Sequence, residues 1–169
     1  MTVSIKNLEK ADIPPIMAAF TGSEWKTPEA YFQGRLAAQE KGEIDFLLAR
    51  YGDAVAGFTT VKWRSDYPPF AAEGIPEIND LRVLAAFRRK GVAAALMDEA
   101  EKRIFEKSQV AGLGVGLYAD YGAAQQLYVK RGYVPDGRGL MYNSQPVSPG
   151  RDVFVDDDLL LYFTRERPA

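Results

Sequence analysis

The sequence predicts an α/β (α+β sandwich) fold, a single domain over residues 1–169, with a mixed, mostly antiparallel sheet of about six to seven strands flanked by about four helices. Three observations carry this. Apolar runs of β type alternate with amphipathic helical segments, glycines and prolines separate them, and no internal repeat or linker divides the chain. At 169 residues and 47% hydrophobic, it is long enough to bury roughly 68–70% of the surface its unfolded chain exposes.

Each element has a local reason. "VSIKNL" (3–8) alternates as a first strand, and "KADIPPIMAAF" supplies Asp12 as a cap, followed by prolines suited to a first helical turn. "TGSEWKT" reads as a loop, and "PEAYFQGRLAAQEKG" as a helix opened by proline and closed by glycine. "IDFLLARYGDAVAGFTTVKW" holds two β-type runs around "YGDA", a hairpin. "RSDYPPFAAEGIP", with three prolines, is expected to be a loop. "EINDLRVL" is a strand leading into "RRKGVAAALMDEAEKR" (88–103), whose Val92, Leu96, Met97, Ala100 and Ile104 make one apolar helical face. "GLGVGLYA" reads as a glycine-rich strand, "GAAQQLYVKRG" as a helix, "YVPDGRGLMY" as a turn through Asp136-Gly137, and "VFVDDDLLLYFTR" as a last strand.

Composition excludes several chemistries. With no cysteine and no histidine there are no disulfides, no Ser-His or Cys-His pairs, and no metal site built on thiolate or imidazole. A net charge of −2 gives no domain-wide cationic field for nucleic acid. The N-terminus lacks a basic start and an apolar core, and no stretch approaches a membrane span, so a cytoplasmic protein without membrane partners is expected.

The start of the helix at Gly91 is the first candidate site. A helix N-terminus carries unpaired N–H groups and about half a positive charge, and a glycine lets an anion approach them. Arg88, Arg89 and Lys90 precede it. Cations at the positive end of a helix are unfavourable, so an anion there is one reading, and a solvated basic loop the other. "GLGVG" (112–116) lacks dinucleotide-loop spacing, and its glycines are read as close backbone approach within the sheet.

"RRKGVA" has the form R-x-x-G-x-A, and with "AAQQLYVKRGYVPDG" downstream it resembles the two signatures of the GNAT superfamily of N-acyltransferases. The element order is similar over nearly the whole chain. The resemblance implies acetyl-CoA in a gap between the strand near 77–84 and the strand near 112–118. Backbone at Leu81 and Val83 would pair with the pantetheine arm, and Arg88 with the N–H groups of Arg89, Gly91, Val92, Ala93 and Ala94 would hold the pyrophosphate. Relatives often carry asparagine where this chain has Tyr121, so that amide contact is lost and the cofactor arm must be held differently there.

Acetyl transfer to an amine needs a neutral nucleophile. A lysine-like ammonium lies about 3.4 pH units from neutrality at pH 7, or about 4.6 kcal/mol. Glu77 matches a strand glutamate used as base in part of the family, with Asp80 or water as alternatives; on an ideal strand Asp80 faces away from Glu77. Tyr128 would sit near the coenzyme sulfur and protonate the departing thiolate, whereas local pattern alone makes it a core tyrosine. Acceptor sites in this family form from the first helices and nearby loops, which points to Trp25, Tyr31, Trp63, Tyr67 and Phe70 as an aromatic wall, with Glu24, Asp66 and Glu73 to attract an ammonium. The expected activity is acetylation of a primary amine on a small molecule or peptide by direct attack, with a homodimer compatible. A non-catalytic acyl-CoA sensor of the same fold is the alternative.

Overall fold

A computed structural model describes residues 2–169. In chain order the elements are β1 (Val3–Asn7), α1 (Ile13–Phe20), α2 (Glu29–Glu40), β2 (Ile44–Tyr51), β3 (Ala54–Lys62), α3 (Pro68–Glu73), β4 (Glu77–Val83), α4 (Val92–Lys107), β5 (Val110–Gly116), α5 (Gly122–Lys130), β6 (Val134–Tyr142), β7 (Gln145–Pro146) and β8 (Leu159–Glu166). The α/β class is as expected, with five α-helices and eight strands among the described residues.

The two elements beyond the expected count have plain origins. Pro68 and Pro69 occupy the first turn of α3, where a missing N–H costs nothing, and Gly74 closes that helix at φ 65°. The segment read as a loop because of its prolines is therefore partly helical. The second addition, β7, is a two-residue strand paired to the end of β6.

Asp12 does not cap α1. Its Oδ2 accepts from the Glu9 N–H at 3.0 Å, closing a short 3-10 turn over Lys10–Asp12, and the carboxylate pairs with Lys6 and Arg50 at 2.9 and 3.1 Å. Asp136-Gly137 is likewise not a chain reversal. It lies inside β6, where the register against β8 shifts between Pro135 and Leu140 and both Gly137 and Gly139 take positive φ. The last strand is shorter than expected, starting at Leu159.

The chain divides into two compact units, the first formed by the chain through Trp63 with Ile78–Glu106, the second by Arg64–Glu77 with Lys107–Ala169. In the first unit the strand order is β1-β2-β3-β4. β1 runs antiparallel to β2 (Val3 opposite Tyr51), and β2 and β3 form the expected hairpin (Ile44 opposite Lys62). Its core gathers Ile13, Ile16, Phe20, Phe32, Phe46 and Phe58 with their neighbours. All five residues of the expected apolar face of α4 are buried.

In the second unit the order is β5-β8-β6-β7, with β5 antiparallel to β8 (Val110 opposite Glu166). Its core is aromatic. Tyr67 stacks on Tyr162 with centroids 3.6 Å apart, Phe70 meets both rings edge-on, and Ile75 and Met141 complete the cluster.

Candidate functional site

In the first unit, the loop before α4 has an unusual backbone. Arg89 stands at φ 61° and Gly91 at φ 81°, both left-handed. A Cβ on Gly91 would meet nothing within 4 Å, so glycine is favoured here by conformation and not by crowding. The first helical bond runs from the Ala95 N–H to the Gly91 carbonyl at 2.9 Å. The N–H groups of Val92, Ala93 and Ala94 thus have no acceptor within the helix. Successive N–H groups at a left-handed turn and a helix start suit a doubly charged diphosphate, so this donor set fits the pyrophosphate of coenzyme A.

The cations beside the loop are less isolated than the sequence suggests. Arg88 donates to Glu24 Oε1 and, through Nε, to the Val83 carbonyl at 3.3 Å, with its guanidinium 5.8 Å from the Trp25 ring. Lys90 Nζ lies 5.3 and 5.4 Å from the Tyr51 and Phe87 rings. Charge at the helix start is therefore partly relieved by the protein itself, and the backbone shape is what remains distinctive. A groove of about 540 Å³ in the same unit runs along Pro15, Arg50, Val55 and Leu84 to Phe87, touching none of the expected site residues.

Strand β4 departs from ideal geometry at Asp80, which has φ 60°. For a residue other than glycine that conformation costs about 1 kcal/mol or more. The alternation that puts Glu77 and Asp80 on opposite faces assumes a regular strand, and it does not carry across this residue. Asp80 accepts from the Tyr31 hydroxyl and from Arg82 Nε at 2.6 Å, and Arg82 Nη1 donates to Thr27 Oγ1 at 2.8 Å. Leu81 and Val83 flank this network, both half-buried. Gly57 on β3 matters here: a Cβ would stand 2.3 Å from the Arg82 carbonyl oxygen.

The aromatics expected to form one wall divide between the units, Trp25, Tyr31 and Trp63 in the first and Tyr67 and Phe70 in the second. Trp25 and Tyr31 pack on the first unit's core with Arg82 beside both rings. Trp63 instead donates its indole N–H to Asp45 Oδ1 at 3.3 Å, and Asp45 also binds Arg103. Tyr67 belongs to the core of the second unit at 1% exposure, its hydroxyl donating to Asp136 Oδ2 at 2.9 Å, and it presents no surface to an acceptor.

In the second unit Glu77 is 5% exposed and accepts from the Ser65 hydroxyl, whose oxygen accepts in turn from the Tyr67 N–H at 3.0 Å. Ser65 went unnoticed in the sequence. Its link to the N–H two residues on is readable as a serine turn, but its bond to Glu77 is not. Tyr128, near the C-terminal end of α5, is 7% exposed, and burial pushes its phenol up to about 12. Tyr121 donates to Asp157 Oδ1 at 2.8 Å, and burial followed by that bond raises its phenol well above the ordinary value. Gln125 Nε2 donates to the Gly116 carbonyl at 2.9 Å.

The glycines of β5 prove to have a different cause from the one expected. Gly112, Gly114 and Gly116 share one face of the strand, and each lies under an aromatic ring. A Cβ would stand 2.3 Å from Phe70 at Gly112, 3.0 Å from Tyr162 at Gly114 and 2.3 Å from Tyr121 at Gly116. Side chains, not neighbouring backbone, exclude a Cβ there.

A sequence model of the acetyltransferase (GNAT) family matches residues 10–133, and the chain belongs to that family. It is accordingly an acyltransferase with acetyl-CoA as donor. No match was found among curated proteins.

Solved structures share the fold. An N-acetyltransferase from Staphylococcus aureus is 16% identical with a TM-score of 0.72, covering 98% of this chain and 99% of its own. The ribosomal-protein-alanine N-acetyltransferase of Brucella melitensis is 18% identical with a TM-score of 0.69, covering 97% and 99%. The PaiA N-acetyltransferase of Thermoplasma acidophilum, solved in complex with coenzyme A, is 15% identical with a TM-score of 0.61, covering 99% and 100%. No helix among the described residues is long and apolar enough to cross a membrane.

Proposed function

We propose that this protein acetylates a primary amine, on a small molecule or a peptide, by direct attack on acetyl-CoA. The observation that carries the proposal is the loop of Arg89 and Gly91, left-handed at both residues and followed by the unpaired N–H groups of Val92, Ala93 and Ala94. These groups would hold the pyrophosphate, with Arg88 adding charge, while backbone at Leu81 and Val83 pairs with the pantetheine arm. Tyr121 is tied to Asp157, so at its position a ring and not an amide would border the cofactor. The bound cofactor supplies an acetyl group as a thioester.

Glu77, held by Ser65, is the proposed base that takes the acceptor's proton directly or through water. Tyr128 keeps its proton throughout the physiological range. Full transfer from a phenol near 12 to a thiolate near 8.5 would be uphill by about 5 kcal/mol. Its role is therefore to donate a hydrogen bond to the departing sulfur, while the proton lost by the amine balances the thiol that leaves. On the acceptor side, Trp25 is the proposed contact, with Tyr31 committed to Asp80. The cytoplasm is the proposed location.

The test joins calorimetry with acetyl-CoA to thiol release over a panel of amines. Binding in the micromolar range and turnover of at least one amine are expected. Tyr128→Phe should lower turnover by about 10²- to 10³-fold, the loss of one hydrogen-bond donor to developing negative charge, with acetyl-CoA affinity unchanged. Absence of binding up to millimolar acetyl-CoA would remove the proposal, and binding without turnover of any amine would favour the sensor reading.

A further inference from the structure

Asp80 holds a left-handed conformation inside a strand, and such outliers persist when their surroundings over-determine them. The surroundings do so here. Tyr31 on α2 donates its hydroxyl to Asp80 Oδ2, and Arg82 Nε donates to Oδ1 at 2.6 Å. Arg82 is itself fixed, through Nη1 to Thr27 Oγ1 at 2.8 Å and by lying 5.6 to 5.8 Å from the rings of Phe58, Tyr31 and Trp25. From β3, Gly57 lets the Arg82 carbonyl approach where any Cβ would collide with it. All of these residues belong to the first unit.

A strand needs none of this to pair with its neighbour. A regular residue at position 80 would free Tyr31 and Arg82 and avoid the left-handed backbone altogether. The network instead ties one carboxylate to two donors from different elements, and the peptides it orients are those that follow, Leu81 to Val83.

We infer that Asp80, Tyr31 and Arg82 are positioning residues that fix the peptide orientation of Leu81 to Val83, the backbone assigned to the pantetheine arm. This rests on the proposed function for its consequence, though not for its geometry. The network also reaches Trp25 and Thr27, so the segment proposed to meet the acceptor and the backbone proposed to meet the donor are held by one guanidinium.

The experiment uses Tyr31→Phe, which removes one donor and keeps the ring that packs on Phe32 and Phe58. In the ligand-free protein, the amide resonances of Leu81, Arg82 and Val83 should shift and their hydrogen exchange should quicken by about tenfold, the size expected for one link in a coupled network. Acetyl-CoA affinity by calorimetry should weaken by about the same factor. Asp80→Asn, which tolerates the left-handed region and keeps an acceptor, should recover most of the affinity that Asp80→Ala loses. In an Asp80→Gly background, where the backbone needs no clamp, adding Tyr31→Phe should change nothing further.

Wild-type amide signals at 81 to 83 in Tyr31→Phe, or simple additivity with Asp80→Gly, would overturn the inference. If wild-type protein binds no acetyl-CoA, the proposed function fails, and the amide measurements still decide whether the clamp exists.

Discussion

The two units present different kinds of groups. The first offers backbone: a left-handed loop at Gly91 with open space around it, and a strand turned at Asp80. The second offers buried side chains: Glu77 under Ser65, Tyr128 with its phenol raised by burial, and β5 glycines roofed by rings. Glycine occurs at the centre of both, for opposite reasons. At Gly91 the chain needs a dihedral that other residues resist, whereas at Gly112 it needs the absence of an atom. The lesson is that one residue type in a motif has two physical meanings, and substitutions can tell them apart.

The largest effect should appear at alkaline pH, where a buried phenol such as Tyr128 responds and backbone donors such as those at Gly91 do not. Tyr128 ionises near 10 when unfolded and near 12 when folded, so above pH 10 the unfolded state gives up its proton first. Stability from this group is complete below pH 10 and lost as pH rises towards 12, by up to about 3 kcal/mol. Tyr128→Phe should remove that part of the alkaline loss. Urea unfolding of both proteins at pH 9 and pH 11 measures it, and equal losses in the two would show that the phenol is not buried in solution.

The second contrast is among the β5 glycines. Gly112→Ala should cost about 1–3 kcal/mol, because Phe70 is wholly buried and its ring cannot step aside. Gly116→Ala should cost less, since the half-buried Tyr121 has room to move, and Gly114→Ala least, with its nearest contact at 3.0 Å. In a chain of this length each kcal/mol lowers the melting midpoint by about 2–4 °C. Pairing Gly112→Ala with Phe70→Leu should restore part of the loss, and an unrestored midpoint would show that the ring is not the obstacle.

How far the sequence could be read follows the range of the interaction. The face of α4 and the hairpin around Gly52-Asp53 depend on neighbours a few residues away, and each is present as expected. Helix α3 was hidden because proline is read as a breaker, although at a first turn it is favourable. Asp80 defeated the alternation rule because that rule presumes a strand without left-handed residues. The burial of Tyr67 against Tyr162 and the bond of Trp63 to Asp45 depend on elements distant in the chain, which local chemistry does not reveal. The β5 glycines are the same case, since Phe70 and Tyr162 lie far from them in sequence.

The smallest effect is the most diagnostic for the comparison. Gly91→Ala introduces no clash, so its cost should be the conformational one, about 1 kcal/mol. Asparagine accepts the left-handed region more readily than alanine, so Gly91→Asn should be the milder change despite its larger side chain. At Gly112, where φ is ordinary and space is absent, the order should reverse, with asparagine worse than alanine. Denaturant midpoints of the four variants test this directly. The same order at both positions would mean that a single physical cause governs the two glycines, and the division into a backbone-offering and a side-chain-burying unit would not stand.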